Sequence, residues 1–203
     1  MWQEYLDQAI ESRGDSLIKL RRHLHQYPET SGQEFQTTAY LVDLLKDMGC
    51  ACHVPADKRG IVADIGSVPL PRMALRADLD ALQIQDEKSV AYRSQHTGVM
   101  HACGHDGHAA MLLGAAAVLK RREAEIKGTI RLIWQPAEEG GAGGKRMVEE
   151  GVLSMEPKPQ AAFGFHQWPF LPLGSIGGRP GPMLAATELF DIVVSGVGGH
   201  AAM

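Results

Sequence analysis

Within the nine residues Met100-His-Ala-Cys-Gly-His-Asp-Gly-His108 stand one cysteine, one aspartate and three histidines. Thiolate, imidazole and carboxylate are the side chains that bind zinc, manganese, cobalt or nickel. Cys103 and His105 are two residues apart, so they cannot share a helix face, where neighbours fall three or four apart. An irregular turn can bring both to one centre, and Gly104 between them gives such a turn its conformational freedom. If a helix starts just after them, its N-terminal dipole lowers the thiol pKa and favours the thiolate a metal needs. The stretch reads as a metal site on a loop entering a helix. A single histidine cluster also has a plainer reading, solvated imidazoles beside an inert thiol, and the rest of the chain decides between them.

The elements around this stretch alternate between helix and strand periods. Residues 2–26 carry apolar positions at Leu6, Ile10, Leu17, Leu20 and Leu24, a helical spacing that ends before Pro28. Residues 33–48 read as a second helix closed by Gly49. Residues 61–65 and 72–77 read as the strands of a hairpin joined through Gly66-Ser-Val-Pro-Leu-Pro. A long helix is expected over 106–126, a buried strand over 129–134, a short helix over 144–151 and a strand over 161–165. A Gly/Pro-rich stretch from Gly174 to Pro182 breaks the pattern, and 187–195 has the alternation of a strand opening a new unit. Such alternation implies an α/β fold with a sheet sandwiched by helices.

Ligands of open α/β sheets bind beyond the carboxyl ends of the strands. The strand at 73–77 runs into Asp78-Leu-Asp80, the strand at 130–136 into Glu138-Glu139 and a glycine-rich turn, and the strand at 161–165 into His166. Three strand ends thus bring acids and a histidine to one rim, where the Cys103/His105 loop joins them. Neighbouring side chains of an extended segment point to opposite sides. One of Glu138 and Glu139 can therefore hold a metal while the other handles protons, the division of labour of a metal-assisted hydrolase. A lone Glu-Glu pair would instead be a charged surface loop; its place beside the other acids and histidines argues for the site.

Composition excludes several other classes. The chain has 203 residues, 44% of them hydrophobic, which is enough for one good-sized core and part of a second unit. The net charge of −4 is mixed along the sequence with no basic stripe, so nucleic acid is not an expected partner. The longest apolar run, around 109–119, is too short to cross a bilayer, and the N-terminus lacks a secretory pattern. Three cysteines argue against a disulfide framework and for a reducing cytoplasm. Cys50-Ala-Cys52-His53 reads as a strand start with buried thiols rather than a second metal site.

Five motifs in order carry a resemblance to a known family: Arg76-Ala-Asp-Leu-Asp-Ala-Leu82, Met100–His108, Trp134-Gln-Pro-Ala-Glu-Glu-Gly-Gly141, Gly164-Phe-His166 and Ser195-Gly-Val-Gly-Gly-His-Ala-Ala202. With Arg22-His-Leu-His-Gln-Tyr-Pro-Glu29 they make the chain resemble the dinuclear-metal N-acyl-amino-acid amidohydrolases, which include hippurate hydrolase, bacterial aminoacylases and plant auxin-conjugate hydrolases. The resemblance covers nearly the whole chain. It implies a mixed, mainly parallel sheet sandwiched by helices, with a catalytic part over 1–183 and the first strand of an inserted α+β lid over 184–203.

For the site, the resemblance implies Cys103, His105, Glu139 and His166 as metal ligands and Glu138 as the general base. It gives Asp78 the orienting of a metal-binding histidine, leaves His108 between a direct role and a buried structural one, and gives His200 the stabilising of a tetrahedral oxyanion across a subunit boundary. Two divalent ions per complete subunit (Mn, Zn, Co or Ni), a small N-acyl amino acid substrate, and a homodimer or homotetramer at full length follow in the same way. The family's lid and its last histidine ligand lie beyond Met203. A C-terminally truncated chain, weak or inactive alone, is the expectation. A dipeptidase or carboxypeptidase of the same class, and a non-catalytic metal-binding remnant, are the other readings.

Overall fold

The computed structural model describes residues 2–66, 72–185, 190–200 and 202. It divides into two compact units, 1–167 and 168–203.

The first unit is built on helices α1 (Trp2–Gln26), α2 (Phe35–Asp47), α3 (His105–Arg121) and α4 (Gly143–Glu149) and strands β1 (Cys52–His53), β2 (Ile61–Ile65), β3 (Arg72–Asp78), β4 (Thr129–Gln135) and β5 (Ala161–Gly164). The long helix expected over 106–126 ends at Arg121 and continues as a 3-10 turn, Glu123–Glu125. The five strands lie in the order β1-β2-β4-β3-β5. β1 and β2 are antiparallel, as are β2 and β4, whereas β3 pairs in parallel with both β4 and β5. Only β2 therefore runs against the others, and the sheet is mixed and mainly parallel.

The expected β2–β3 hairpin is not formed, because β4 lies between the two strands. β4 is buried along most of its length, and a strand buried on both faces belongs at the centre of a sheet, with a neighbour on each side. Its registers with Ile61–Ile65 on one side and Arg72–Asp78 on the other supply them. β3 reaches β4 through α3, the helical crossover that parallel neighbours require. Of the expected hairpin link, residues 67–71 lie outside the described residues. Arg131, buried in mid-β4, is tolerated because Asp64 opposite it accepts from Nε and Nη2 at 2.9 and 2.8 Å, and the carbonyls of Val152 and Met155 accept from Nη1.

Two hydrophobic layers flank the sheet. On one side Leu20 and Leu24 of α1, Leu41 and Leu45 of α2, and Leu112 and Leu113 of α3 pack on Ile61, Ile65, Leu132 and Trp134. Each such fully buried side chain contributes roughly 2 kcal/mol. On the other side Met147 of α4 meets Val62, Ala74 and Ile133. Trp134 Nε1–H donates to the Ala109 carbonyl at 3.3 Å, fastening β4 to the first turns of α3. Cys50 is buried just before β1 and carries no disulfide.

In the second unit none of the described residues lies in a helix or strand. Its local contacts include a Pro172–Ser175 turn and the Arg179 guanidinium on the Pro182 carbonyl. Of the strand expected over 187–195, residues 187–189 lie outside the described residues. Residues 190–195 form no ladder among the described residues, and their apolar side chains Phe190, Ile192 and Val194 are exposed. Alternation makes a strand only where a ladder of hydrogen bonds and a covered face are available. No described helix is long and apolar enough to cross a membrane.

Candidate metal centre

The carboxyl ends of the parallel strands β3, β4 and β5 and the start of α3 bring the candidate residues together. Asp78 closes β3, Glu138 and Glu139 follow β4, His166 follows β5, and His105 opens α3. Gly104, at φ +85°, makes the left-handed bend that separates Cys103 from the helix. The turn after β4 is tight: Gly143 lies so close to the Pro136 carbonyl that a Cβ there would collide with backbone. Ala137 and Ala142 both take positive φ, +51° and +49°.

Among the described residues three sets of ligand atoms cluster, each within 4.8 Å of one another: Cys103, His105 and His166; His105, Glu138 and Glu139; and Asp78, His105 and His108. His105 is common to all three. Its Nδ1 donates to Asp80 Oδ1 at 3.2 Å. Its Nε2 is buried with no hydrogen-bond partner, 3.6 Å from Asp78 Oδ2 and 3.8 Å from Glu139 Oε1. A ring whose Nδ1 carries the proton presents a bare lone pair at Nε2, the state in which histidine binds a metal. His166 is set the same way. Its Nδ1 donates to the Gln167 carbonyl at 2.7 Å, and Nε2 lies 3.3 Å from Cys103 Sγ.

His108 is different. Its Nε2 accepts the Gln167 backbone N–H at 2.9 Å, which places the ring proton on Nδ1, and Nδ1 donates to Asp78 Oδ1 at 2.6 Å. Both nitrogens are committed, so His108 is a buried link between α3, the end of β3 and the end of β5. Asp78 accordingly meets two histidines, bonded to His108 and adjacent to His105. His200 lies in the second unit, exposed, with Nδ1 accepting the Ala202 backbone N–H at 3.2 Å.

Asp80 is the residue that sequence reasoning passed over. Besides His105, its carboxylate accepts the Ser31 hydroxyl at 2.6 Å and the Glu139 backbone N–H at 2.9 Å. The signal was present in Asp78-Leu-Asp80, since residues two apart in extended chain face the same side.

The electrostatics are those of a cluster with surplus negative charge. Burial opposes the charge on Asp78 and Asp80, but hydrogen bonds from His108 to the first and from His105, Ser31 and the Glu138–Glu139 peptides to the second outweigh it, and both carboxyls lie below their ordinary range. Burial likewise opposes the charge on His105, yet Asp80, Asp78 and Glu139 raise its pKa. The Cys103 thiol is pushed up to about 12 by burial and by Glu139, Asp78 and Glu138. That reverses the lowering expected from the helix N-terminus, because roughly half a unit of dipole charge cannot offset several whole carboxylate charges. A divalent cation answers both the charge surplus and the unpartnered Nε2, and the donor set of thiol, imidazole and carboxylate fits one.

The sequence model of peptidase family M20/M25/M40 matches residues 74–198. An N-acetyl-L-cysteine deacetylase of Bacillus subtilis is 47% identical over 188 residues, covering 92% of this chain and 44% of that protein. The IAA-amino acid hydrolase ILR1-like 4 of Arabidopsis thaliana is 44% identical, covering 93% of this chain and 42% of its own length. The crystal structure of the Bacillus subtilis YXEP protein, described as a dinuclear metal binding peptidase of the M20 family, superposes with a TM-score of 0.80 at 44% identity. That match covers 85% of this chain and 48% of the other. The chain spans about half the length of the curated relatives it matches.

Proposed function

The chain belongs to peptidase family M20/M25/M40, and from that premise we propose that it carries most of the metal centre of an amidohydrolase acting on N-acyl amino acids. The observation that carries this reading is the buried, unpartnered Nε2 of His105 set among Cys103, His166 and the Glu138–Glu139 pair. The similar proteins are named as an N-acetyl-L-cysteine deacetylase and an IAA-amino acid hydrolase, which supports the substrate class.

In this reading Cys103, His105, Glu139 and His166 are the protein's ligands for two divalent ions, drawn from Mn, Zn, Co or Ni. When bound, such ions supply positive charge that acidifies water and polarises an amide carbonyl. Glu138 takes the proton from the attacking water and returns it to the departing amine nitrogen, so that a carboxylate and a free amino acid leave. Asp80 keeps the proton of His105 on Nδ1 and leaves Nε2 free, and Asp78, bonded to His108 and 3.6 Å from that Nε2, helps to orient the metal-binding His105. By its motif alone, His200 is assigned the tetrahedral oxyanion. The boundary between the catalytic part and the lid is placed at 183/184, the full-length protein is taken to be a homodimer or homotetramer, and three free cysteines favour the cytoplasm.

The test is a hydrolysis panel on the full-length gene product, with acetyl-, benzoyl- and indolyl-acetyl amino acids beside unblocked dipeptides. Preference for the acylated set, lost on chelation and restored by a divalent metal, is expected. Preference for dipeptides would move the assignment to a dipeptidase, and indifference to chelation would remove it.

A further inference from the structure

Glu34 occupies the N-cap position of α2, but its side chain makes no capping hydrogen bond. The first N–H groups of that helix go instead to Glu29, whose carboxylate accepts from Gln36 and Thr37 at 3.1 and 2.7 Å. Glu34 is freed from the usual work of its position, and it is fully buried. Its Oε1 accepts the backbone N–H of Ala137 at 2.7 Å, a contact between residues 103 apart in sequence, while Oε2 is buried without a hydrogen-bond partner. Burying a carboxyl group costs several kcal/mol unless it is compensated; the nearby peptides of Gly32 and of Glu34 itself offset part of that cost, and its one long-range bond goes to Ala137.

What that bond holds is the turn carrying Glu138 and Glu139. Ala137 is in the left-handed region at φ +51°, a conformation that costs a residue with a Cβ about 1 kcal/mol and persists only when its surroundings enforce it. The next peptides are held by Asp80, which accepts the Glu139 N–H at 2.9 Å. Two buried carboxyl groups from distant parts of the chain thus grip the N–H groups of Ala137 and Glu139 on either side of Glu138 in one strained turn. Removing either frees the turn to relax and carries both glutamates with it.

We propose that Glu34 is a positioning residue for the Glu138–Glu139 pair, acting through the backbone N–H of Ala137 and touching neither metal nor substrate. The proposal rests on the reading of Glu139 as a metal ligand. It depends on the acceptor oxygen at Oε1, which glutamine retains and methionine lacks.

The experiment is cobalt titration of the 203-residue chain, followed by thiolate-to-cobalt absorbance, for the parent, Glu34→Gln, Glu34→Met and Cys103→Ala. Glu29→Ala serves as a structural control, and urea midpoints are measured for all. Cys103→Ala is expected to abolish the absorbance. Glu34→Met should weaken cobalt binding about 10- to 100-fold, the usual effect of losing a group that holds a ligand, with Glu34→Gln within a few-fold of the parent. Glu29→Ala should lower the urea midpoint while leaving cobalt affinity unchanged. If Glu34→Met does not fold, Glu34→Asp, which withdraws the acceptor by one methylene, must show the same loss. Parent-like affinity in Glu34→Met or Glu34→Asp overturns the proposal, and so does a Glu34→Gln as weak as Glu34→Met. Binding that survives in Cys103→Ala would overturn the metal-site reading itself, and the positioning role with it.

Discussion

Oδ1 of Asp80 lies 3.2 Å from Nδ1 of His105, so the ring is gripped at one nitrogen while the other stays open to the cluster. The second oxygen of the same carboxylate holds the Glu139 peptide. One side chain therefore fixes the distance between the helix that supplies a histidine and the turn that supplies the glutamates. Replacing Asp80 with Ala removes both grips at once. Metal affinity is expected to fall about 10- to 100-fold in isothermal titration calorimetry with zinc or cobalt, and an unchanged affinity would show that His105 keeps its orientation without Asp80.

Glu138 and Glu139 should separate cleanly. Glu138→Gln keeps size and polarity but cannot accept a proton, so turnover of the full-length protein is expected to fall at least a hundredfold, the lower range for a general acid–base group. Metal stoichiometry should be preserved. Glu139→Gln should instead lose metal. Activity persisting in Glu138→Gln would transfer the proton-handling role elsewhere.

His101 sets an acid limit on the fold. Its ring is buried with neither nitrogen hydrogen-bonded, and burial, with His105 and His25 adding to it against Asp106 and Asp80, lowers its pKa from 6.5 to about 4. Between those values the unfolded chain binds a proton that the folded chain refuses, so stability rises with pH across the window and falls as pH drops through it, by at most about 1.4 kcal/mol per pH unit. His105, raised above 6.5, is protonated in both states there and does not oppose the trend. Urea midpoints measured from pH 7 to pH 4 should decline, and His101→Phe should flatten the decline.

Two glycine substitutions should part company. Gly98 has φ +73° with open space where a Cβ would go, whereas a Cβ on Gly143 meets the Pro136 carbonyl. Gly98→Ala is expected to cost about 1 kcal/mol of backbone strain and leave metal binding intact. Gly143→Ala should cost about 1–3 kcal/mol and weaken metal binding as well, because the Glu138–Glu139 turn must shift to admit it. Denaturation and metal titration of the pair distinguish the two outcomes.

With its thiol pushed up to about 12 by burial and the neighbouring carboxylates, Cys103 must lose a proton to become a ligand. Metal uptake should release protons, read as a dependence of calorimetric enthalpy on buffer ionisation heat, and affinity should rise with pH. Cys103→Ala should remove most of that release.

Much of this arrangement is legible in the sequence, and what is not has a common cause. Ligand types and spacing at Cys103–His105, the acids and histidine after three strands, and the helical periods of α1 to α3 are local patterns, and the structure places them as those patterns suggest. The position of β4 between β2 and β3 is set by partners more than fifty residues away, as in Asp64 with Arg131, and no short window contains that information. The same holds for Glu34, whose neighbours in sequence mark a helix start while its partner is Ala137. The thiol of Cys103 was misjudged because the dipole of α3 is visible locally and the carboxylates gathered around it are not.

Cys103 and His166 lie 3.3 Å apart in space and 63 residues apart in sequence. An ion held between them would close a loop of that length, much as a covalent cross-link does, and would take conformational freedom from the unfolded chain. The nascent polypeptide cannot present this pair until β5 has docked beside β3. Ion capture would thus come after that slow, non-local pairing, and a held metal would report that β5 has docked beside β3.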